Sequence, residues 1–295
     1  MSALADIALG LSRTRLGRNF LQAAIRIHDR VARLGVPSKR LRNEGFSVAI
    51  AHYNTGDRIR LALLHLLEHP AVSEICIVDD GSRPAAFAAM ESVLRKVGGS
   101  RIRWKRREQN HGAMWTKMEA VAMCRSDWVL VLDSDNTATK GYLDRLAGPA
   151  HRDPSAFYCA QWAAPFFPFH GLGPEPIDFD RAVSLCRDGR LRRFYLINDG
   201  NYLVPRDAYV ETVRSIGLLP SDVVDVMVVN YRWLSQGGRL EIMDGTSYIH
   251  RVDPESFYAR TEDASRARLR NIFERLEASE KWDDSWQERL LAGSA

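Results

Sequence analysis

Short apolar runs alternate along residues 46–146 with longer segments in which apolar residues recur every three or four positions. The runs are typical of buried strands, and the longer spacing is typical of amphipathic helices. Strands that alternate with helices indicate a parallel sheet with right-handed crossovers, so we expect an α/β, Rossmann-like fold. We expect the complete sheet to be mixed but mostly parallel, and to be flanked by helices. The predicted strands are 46–51, 75–78, 101–105 and 128–132; the predicted helices follow the turn 52–57 up to Pro70 and span 84–97 and 114–124.

The regular alternation is lost after Leu146. Residues 164–176 are rich in Pro, Gly and Phe, which favours a loop over a pocket. A late helix is predicted at 222–234, because Ser221 can cap it and Gly237 ends it. The other predicted elements are strands at 157–162, 191–196, 202–204, 240–243 and 247–249, and a turn at 198–201.

The two ends of the chain have a different pattern. In residues 1–42 apolar residues recur at helical spacing and arginines fill the other face. This predicts a basic helix that either packs across the main domain or lies on an anionic membrane surface. Trp282 and Trp286, in a charged helical tail, are interpreted as packing residues or a homodimer contact. We expect a basic extension at 1–45, a main domain at 46–251 with parts at 46–147 and 148–251, and a C-terminal helical extension at 252–295.

Composition places the chain among ordinary globular proteins. It has 295 residues, of which 45% are hydrophobic and 26% charged, with a formal net charge of +4. Its four cysteines are widely separated and form no CxxC pair, so we expect buried thiols in a reducing compartment rather than a zinc ribbon or a disulfide scaffold. No apolar run is long enough to span a bilayer and no signal core precedes residue 45, so we expect a cytoplasmic protein, with 1–42 as a candidate contact to the membrane's inner face.

Two pairs of carboxylates follow predicted strands. Asp79 and Asp80 end the second strand, and Asp133 and Asp135 follow the fourth. The carboxyl ends of parallel strands share one edge of the sheet, so we expect the four side chains to converge. Four such acids would repel one another unless a cation such as Mg²⁺ or Mn²⁺ were present. The alternative for 79–82 is an ordinary Asp-Asp-Gly-Ser turn.

Four segments in order resemble the successive motifs of family 2 glycosyltransferases with the GT-A fold. They are SVAIAHYN at 47–54, IVDDGS at 77–82, EQNHG at 108–112 and VLDSDN at 131–136. The resemblance is strong over 46–147 and weaker to 251. It implies an inverting, metal-dependent enzyme that transfers a sugar from a nucleotide-sugar to a hydroxyl acceptor.

The same resemblance implies a set of contacts to the donor nucleotide. Tyr53 would lie against the base, and Asp80 would accept its imide hydrogen, which suits uracil. Lys117 stands where the family more often has Arg, and would border the phosphates. The implied nucleotide contacts are Tyr53, Asn54, Asp79, Asp80, Asn110, Gly112, Lys117, Asp133 and Ser134.

The metal and the catalytic base are also implied by the resemblance. Asp135 would be the main ligand of Mn²⁺ or Mg²⁺, with Asp133 and His250 as further ligands. The acidic pair that usually opens the late helix is replaced here, so either Asp222 or Asp225 would be the general base; each could instead only stabilise the start of the helix. Asp199 and Asn201 are candidates for binding sugar hydroxyls, or form an ordinary turn.

Other interpretations remain beside the leading one. Before Tyr53 the chain has Ala51-His52 where many relatives carry threonine or proline, which leaves the base open. The basic residues 101–107 around Trp104 indicate a solvated strand face rather than a nucleic-acid site. Missing P-loop and GxGxxG motifs argue against ATPases and dehydrogenases. The alternatives are a sugar nucleotidyltransferase and a non-catalytic binding protein. The expected partners are a UDP-sugar and an envelope glycan or lipid-linked acceptor.

Overall fold

The computed structural model describes residues 45–148, 152–165, 167–188, 201–217, 224–251, 262–283, 285–286 and 288. The predicted basic helix at 1–42, the strand at 191–196, and the candidate residues Asp199 and Asp222 lie outside these ranges.

The first part of the described chain is the predicted parallel α/β unit. Its strands are β1 (Phe46–His52), β2 (Val72–Asp79), β3 (Ile102–Arg106) and β4 (Trp128–Asp133), and its helices are α1 (Ile59–Leu63), α2 (Pro84–Val97) and α3 (Ala113–Met123). Strand β1 pairs in parallel with both β2 and β4, and β2 pairs in parallel with β3. The carboxyl ends of β2 and β4 therefore flank the end of β1.

The first helix is shorter than predicted. It follows a 3-10 turn at Gly56–Arg58 and ends at Leu63, because Leu64 has an extended ψ of 130°. His65 then takes a positive φ of 71°. The apolar pattern up to Pro70 continues as tight turns that keep Leu66 buried. The helical spacing of the apolar residues predicts one continuous helix up to Pro70, and this prediction is wrong.

The second part adds strands and helices in a less regular order. Strands β5 (Thr137–Ala138), β6 (Ala156–Ala164), β7 (Phe167–Pro168), β8 (Tyr202–Pro205) and β9 (Arg239–Ile249) join helices α4 (Lys140–Leu146), α5 (Phe179–Arg187), α6 (Arg206–Ile216), α7 (Asp225–Ser235) and α8 (Glu262–Glu277). The sheet order is β3-β2-β1-β4-β8-β6-β9-β5, and β7 pairs with β6. Strand β8 is antiparallel to β4, whereas β6 and β9 are parallel. The predicted mixed, mostly parallel sheet flanked by helices is confirmed.

Several predicted boundaries in the second part are wrong. The two short strands at 240–243 and 247–249 form one continuous strand, β9, and helices α5 and α6 were not predicted. Part of the predicted loop at 164–176 forms β7 and a 3-10 turn at Phe169–Leu172. The late helix begins at Asp225 rather than at residue 222, because Val224 has a non-helical ψ of 78°.

The core lies on both faces of the sheet. Six of the seven residues of β1 are buried, which explains its unbroken apolar sequence. In the second part Phe157 of β6 stacks on Trp233 of α7 with ring centroids 4.2 Å apart. Gly238 gives Trp233 this room, since a Cβ there would lie 2.1 Å from the indole ring. All four cysteines are free and buried, as predicted.

The C-terminal helix α8 packs on α5 and α7 through Ile272 and Leu276, both fully buried. Trp282 and Trp286 follow it and pack edge-to-face on each other, with ring centroids 4.3 Å apart. They are 8% and 1% exposed, so the packing interpretation of these two tryptophans is confirmed. Within the described residues no helix is long and apolar enough to cross a membrane.

Candidate functional site

Three predicted metal ligands, Asp133, Asp135 and His250, lie around the loop after β4, but their ligand atoms do not all come within 4.8 Å of one another. Strand β5, directly after this loop, pairs with the end of β9, so that Thr137 lies opposite Ile249. His250 is thereby placed beside the loop, and its Nδ1 lies 3.4 Å from Asn136 Nδ2. The same amide nitrogen donates to Asp133 Oδ2 at 3.3 Å. The local pairing of β5 and β9 thus joins residues that are more than a hundred positions apart in sequence.

Asp135 lies in an environment that disfavours its charge. Burial raises the pKa of its carboxyl group, and the nearby charge of Asp133 raises it further. The charges of His250 and Arg251 lower the pKa of Asp135, but the pKa stays above its ordinary value. A bound cation would remove this unfavourable charge proximity.

This donor set fits a divalent cation. Carboxylate oxygens suit Mg²⁺ and Mn²⁺, and imidazole is a common transition-metal ligand. Asp133 Oδ1 lies 3.1 Å from Lys117 Nζ, and its Oδ2 accepts a hydrogen bond from Asn136 Nδ2 at 3.3 Å. A metal would have to share Asp133 with these partners, so Asp135 and His250 are the leading candidates.

Arg251 fixes the shape of the same loop, although the sequence analysis did not single it out. Its Nη1 donates to the Asp135 carbonyl oxygen at 2.7 Å and to Thr137 Oγ1 at 2.9 Å. Its backbone N–H donates to Asn136 Oδ1 at 3.0 Å. The only signal in the sequence was its position directly after His250.

The carboxylates of β2 do not join those of β4, which corrects the prediction of four converging acids. Asp79 is fully buried, and its Oδ1 accepts hydrogen bonds from Ser82 Oγ at 2.5 Å and contacts His52 Nδ1 at 2.7 Å. Burial alone raises the pKa of Asp79, but the bonds from His52 and Ser82 outweigh burial and hold it below its usual value. The buried Asp79 side chain therefore stabilises the turn 79–82 by accepting hydrogen bonds from Ser82.

Asp80 binds the loop that precedes α3. Its Oδ1 accepts the backbone N–H of His111 and its Oδ2 that of Gly112, both at 2.9 Å. Arg107 Nη1 donates to Oδ1 at 3.1 Å. Arg107 had been predicted to lie on a solvated strand face; its side chain is only 14% exposed because it reaches back to Asp80.

The other predicted nucleotide residues lie around the ends of β1 and β4. Tyr53 is 37% exposed at the end of β1. Asn54 accepts from the backbone N–H of Arg83, and Ser134 Oγ lies 2.9 Å from Thr55 Oγ. Asn110 Oδ1 accepts from the Gly112 N–H at 3.0 Å. These polar groups stabilise the loops that border the crevice.

Lys117 connects the end of β4 to the start of α7. Its Nζ lies 3.1 Å from Asp133 Oδ1 and 3.0 Å from Asp225 Oδ2. Burial lowers the pKa of this ammonium group, but Asp133 and Asp225 outweigh burial and hold it well above its ordinary value. Asn201 also supports Asp133, because its Oδ1 accepts the Asp133 N–H at 3.1 Å. Of the two predicted bases, the structure describes Asp225. Through Lys117 it lies close to Asp133 at the end of β4.

The known proteins that resemble this chain in sequence or in fold are glycosyltransferases. The family model described as glycosyl transferase family 2 matches residues 47–189. An uncharacterized glycosyltransferase from Mycoplasma pneumoniae is 31% identical over 104 residues, which are 34% of this chain and 35% of that protein. The chain thus spans about a third of the length of this curated relative.

Solved glycosyltransferases share the fold. A mannosyltransferase from Pyrobaculum calidifontis in complex with GDP-Man and Mn²⁺ has a TM-score of 0.53 at 15% identity, over 99% of this chain and 81% of that one. TarS 1–349 from S. aureus in complex with UDP-GlcNAc has a TM-score of 0.54 at 16% identity, over 84% of this chain and 71% of that one. At such identities the likeness concerns the fold, and the expected GT-A fold is confirmed.

Proposed function

We propose that the chain transfers a sugar from a nucleotide-sugar to an acceptor hydroxyl, since residues 47–189 match the family model described as glycosyl transferase family 2. One observation carries the proposal. The buried Lys117 joins the carboxylate of Asp133, the last residue of β4, to that of Asp225, the first residue of α7. A donor bound at the first and an acceptor bound at the second would meet across one crevice.

The proposed donor is a UDP-sugar. Asp80 is held by three donors at the end of β2, and a carboxylate has about four lone-pair sites, so about one is left for the imide N–H of uracil, on a side chain that is only 3% exposed. Tyr53 is exposed enough to stack against the base. Guanine, by contrast, would present a donor pair that a single remaining acceptor position satisfies poorly.

Mn²⁺ or Mg²⁺ is the proposed cofactor. Asp135 and His250 would hold the ion, with Asp133 as a further candidate. When bound, the ion supplies positive charge to the departing diphosphate. Arg251 keeps the loop in place from behind through the Asp135 carbonyl oxygen.

The proposed reaction is a direct displacement. A carboxylate oxygen of Asp225 takes the proton of the acceptor hydroxyl, whose oxygen then forms a bond to the anomeric carbon. The bond from that carbon to the diphosphate oxygen breaks, and the nucleoside diphosphate leaves with the electron pair. Attack from the face opposite the leaving group inverts the anomeric centre. Asp222 stays the alternative base.

The proposed acceptor is an envelope glycan or a lipid-linked saccharide. The basic residues of 1–42 would bring the protein to an anionic membrane surface. Flotation with vesicles tests this: wild type should float with anionic vesicles more than with zwitterionic ones, and a variant with Arg13, Arg15 and Arg18 changed to Gln should float less. Equal flotation on both vesicle types contradicts the membrane contact. Asp199 remains a candidate for binding sugar hydroxyls. Asn201 is not favoured in that role, because it is 1% exposed and its amide is paired with Asp133.

Nucleotide binding and turnover test the proposed function. Purified protein is mixed with UDP, GDP or dTDP, each with and without Mn²⁺, and its thermal midpoint is measured. We expect UDP with Mn²⁺ to raise the midpoint most, because a ligand that binds only the folded state stabilises it. Release of nucleoside diphosphate from UDP-sugars and from GDP-mannose is then measured with glycan and lipid-linked acceptors.

Two variants serve as the matched pair. Asp135→Asn should abolish the Mn²⁺-dependent part of the UDP effect and the turnover. Asp207→Asn, which changes a carboxylate 88% exposed at the start of α6, should behave like wild type. A wild-type protein that is stabilised by no nucleotide and turns over no donor contradicts the proposed function.

A further inference from the structure

The ammonium group of Lys117 lies at the boundary between the two parts of the sheet. Lys117 is on α3, one turn after the helix begins, and its side chain is only 7% exposed. One partner, Asp133, is the last residue of β4 in the first part. The other, Asp225, is the first residue of α7 in the second part. Lys117 is therefore a direct link between the donor side and the acceptor side of the crevice.

Lys117 is placed between two carboxylates in the folded protein. Its Nζ lies 3.1 Å from Asp133 Oδ1 and 3.0 Å from Asp225 Oδ2. Leaving both carboxylates without this cation would bring two negative charges together with little solvent between them. The geometry at the start of α7 thus depends on an ion pair and not only on backbone packing.

The two carboxylates are arranged unequally around the cation. Asp225 uses Oδ2 for Lys117; in the part of the chain that the structure describes, its Oδ1 accepts no hydrogen bond. The Asp225 side chain is 20% exposed, and that of Asp133 is 29% exposed. Lys117 therefore lies beneath the two carboxylates, and each still presents an edge to the crevice.

The buried position makes Lys117 a poor phosphate ligand. A lysine ammonium has three N–H donors; one is donated to Asp225, and Asp133 Oδ1 lies 3.1 Å from the same nitrogen. A phosphate would have to displace one carboxylate from a group that is almost inaccessible to solvent. The contact to the phosphates implied by the family resemblance is not favoured by this arrangement.

We propose that Lys117 is a positioning residue, which holds Asp225 beside Asp133 with one carboxylate oxygen turned to an acceptor hydroxyl. This inference rests on the proposed function, because it assigns Lys117 to the step in which Asp225 takes the proton. Lys117 acts through Asp225 and touches neither substrate. A misplacement of a catalytic group by about 1 Å is enough to lower a rate about 100-fold.

A double-mutant cycle on Lys117 and Asp225 tests the inference. Four proteins are compared: wild type, Lys117→Met, Asp225→Asn and the double variant. The thermal midpoint of each shows that it is folded, the UDP-induced shift with Mn²⁺ reports donor binding, and steady-state transfer gives kcat and KM. We expect Lys117→Met to lower kcat about 100-fold with little change in donor KM. In the Asp225→Asn background the same change should cost almost nothing, because a residue that acts through another has no separate effect.

Lys117→Arg is the conservative arm of the same experiment. It keeps the positive charge and can pair with both carboxylates, so we expect it to recover most of the kcat lost in Lys117→Met. It also keeps the test valid where Lys117→Met folds poorly, since the arginine variant can be combined with Asp225→Asn in the same cycle.

The outcomes separate this inference from the proposed function. Additive losses in the cycle, or a loss of donor binding in Lys117→Met as large as its loss of turnover, overturn the positioning role while the proposed function stands. A wild-type protein that turns over no nucleotide-sugar overturns both.

Discussion

His52 Nδ1 lies 2.7 Å from Asp79 Oδ1, and neither side chain is exposed to solvent. The pair joins the last residues of β1 and β2, which lie opposite each other in the sheet. Ser82 completes the contact from the far side of the turn through its hydroxyl and its backbone N–H. The first acid of the Asp-Asp-Gly-Ser segment therefore has a structural role, in the position where a ligand contact was expected.

Asp79→Asn should destabilise the protein by about 1–3 kcal/mol, because it disrupts the buried hydrogen bonds that Asp79 accepts from His52 and Ser82. Urea denaturation at neutral pH measures the loss, with Asp207→Asn as the surface control. An Asp79→Asn protein as stable as Asp207→Asn would contradict the structural role.

The neighbouring acids Asp79 and Asp80 illustrate what the sequence could predict. The end of an apolar run correctly placed both at the carboxyl edge. Successive residues of a strand point to opposite faces, so one of them meets His52 and the other meets the N–H groups of His111 and Gly112. Because side chains alternate between the two faces of a strand, Asp79 and Asp80 are not expected to point to the same site. The sequence does not show which residues each of them contacts.

The sequence pattern does not predict contacts between segments that are far apart in the chain. Lys117 and Asp225 are separated by 108 positions, and no local pattern records that α3 and α7 begin at the same crevice. Asp133 and Asp135 were predictable because their signal is local, an apolar strand that ends in carboxylates. The start of α7 was misplaced because acids and a serine before it imitate a helix cap.

The ion pair of Glu74 should make stability depend on pH. Glu74 Oε2 accepts two hydrogen bonds from Arg103, at 3.1 and 2.8 Å. Burial alone raises the pKa of Glu74, but bonds from the Arg125 N–H, Arg103 and Ser47 outweigh it and hold the pKa below 4.5. Folding therefore favours the ionised form. Its stabilising contribution is present above pH 4.5, the unfolded value, and is lost as the pH falls through the lower folded value.

We expect the free energy of unfolding of wild type to fall more steeply than that of Glu74→Gln as the pH is lowered from about 5 to about 3. At neutral pH the variant should be less stable by about 1–3 kcal/mol, because Arg103 loses its partner. Urea denaturation at a series of pH values measures both. Parallel pH profiles for the two proteins would contradict the prediction.

Gly81 allows the turn after β2 to approach the loop before α3. Its φ is +70°, and a Cβ at this position would lie 2.8 Å from the carbonyl carbon of Gln109. Gly98 is a matched control, with a φ of +62° and no atom within 4 Å of an added Cβ. Both alanine variants carry backbone strain from a positive φ, but only Gly81→Ala adds a clash.

We expect Gly81→Ala to lower the free energy of unfolding by about 1–3 kcal/mol more than Gly98→Ala. It should also weaken the stabilisation by UDP, since the displaced loop carries the N–H groups that hold Asp80. Equal losses in the two variants would show that the close approach contributes nothing.

Tyr231 ties the C-terminal segment to α7. Its hydroxyl donates to the Glu280 carbonyl oxygen at 2.7 Å and accepts from Arg275 Nε at 3.0 Å. Tyr231→Phe should cost about 1–2 kcal/mol, because the buried Arg275 and the Glu280 carbonyl oxygen each lose a hydrogen bond. Tyr53→Phe, at a tyrosine that is 37% exposed, is the control for the same chemical change. Equal urea midpoints for the two variants would contradict this role of Tyr231.

Asp135→Asn should have opposite effects with and without metal. In the absence of metal the variant should be as stable as wild type or slightly more stable, by up to about 1 kcal/mol, because the like charge beside Asp133 is removed. For wild type, the rise in thermal midpoint caused by UDP should be larger with Mn²⁺ than without it. For the variant the two rises should be equal, because it lacks the main metal ligand. Thermal midpoints measured in EDTA, in Mn²⁺, and in Mn²⁺ with UDP separate the two effects. A variant that keeps the full Mn²⁺-dependent UDP shift would exclude Asp135 as a ligand and leave His250 and Asp133 to hold the ion.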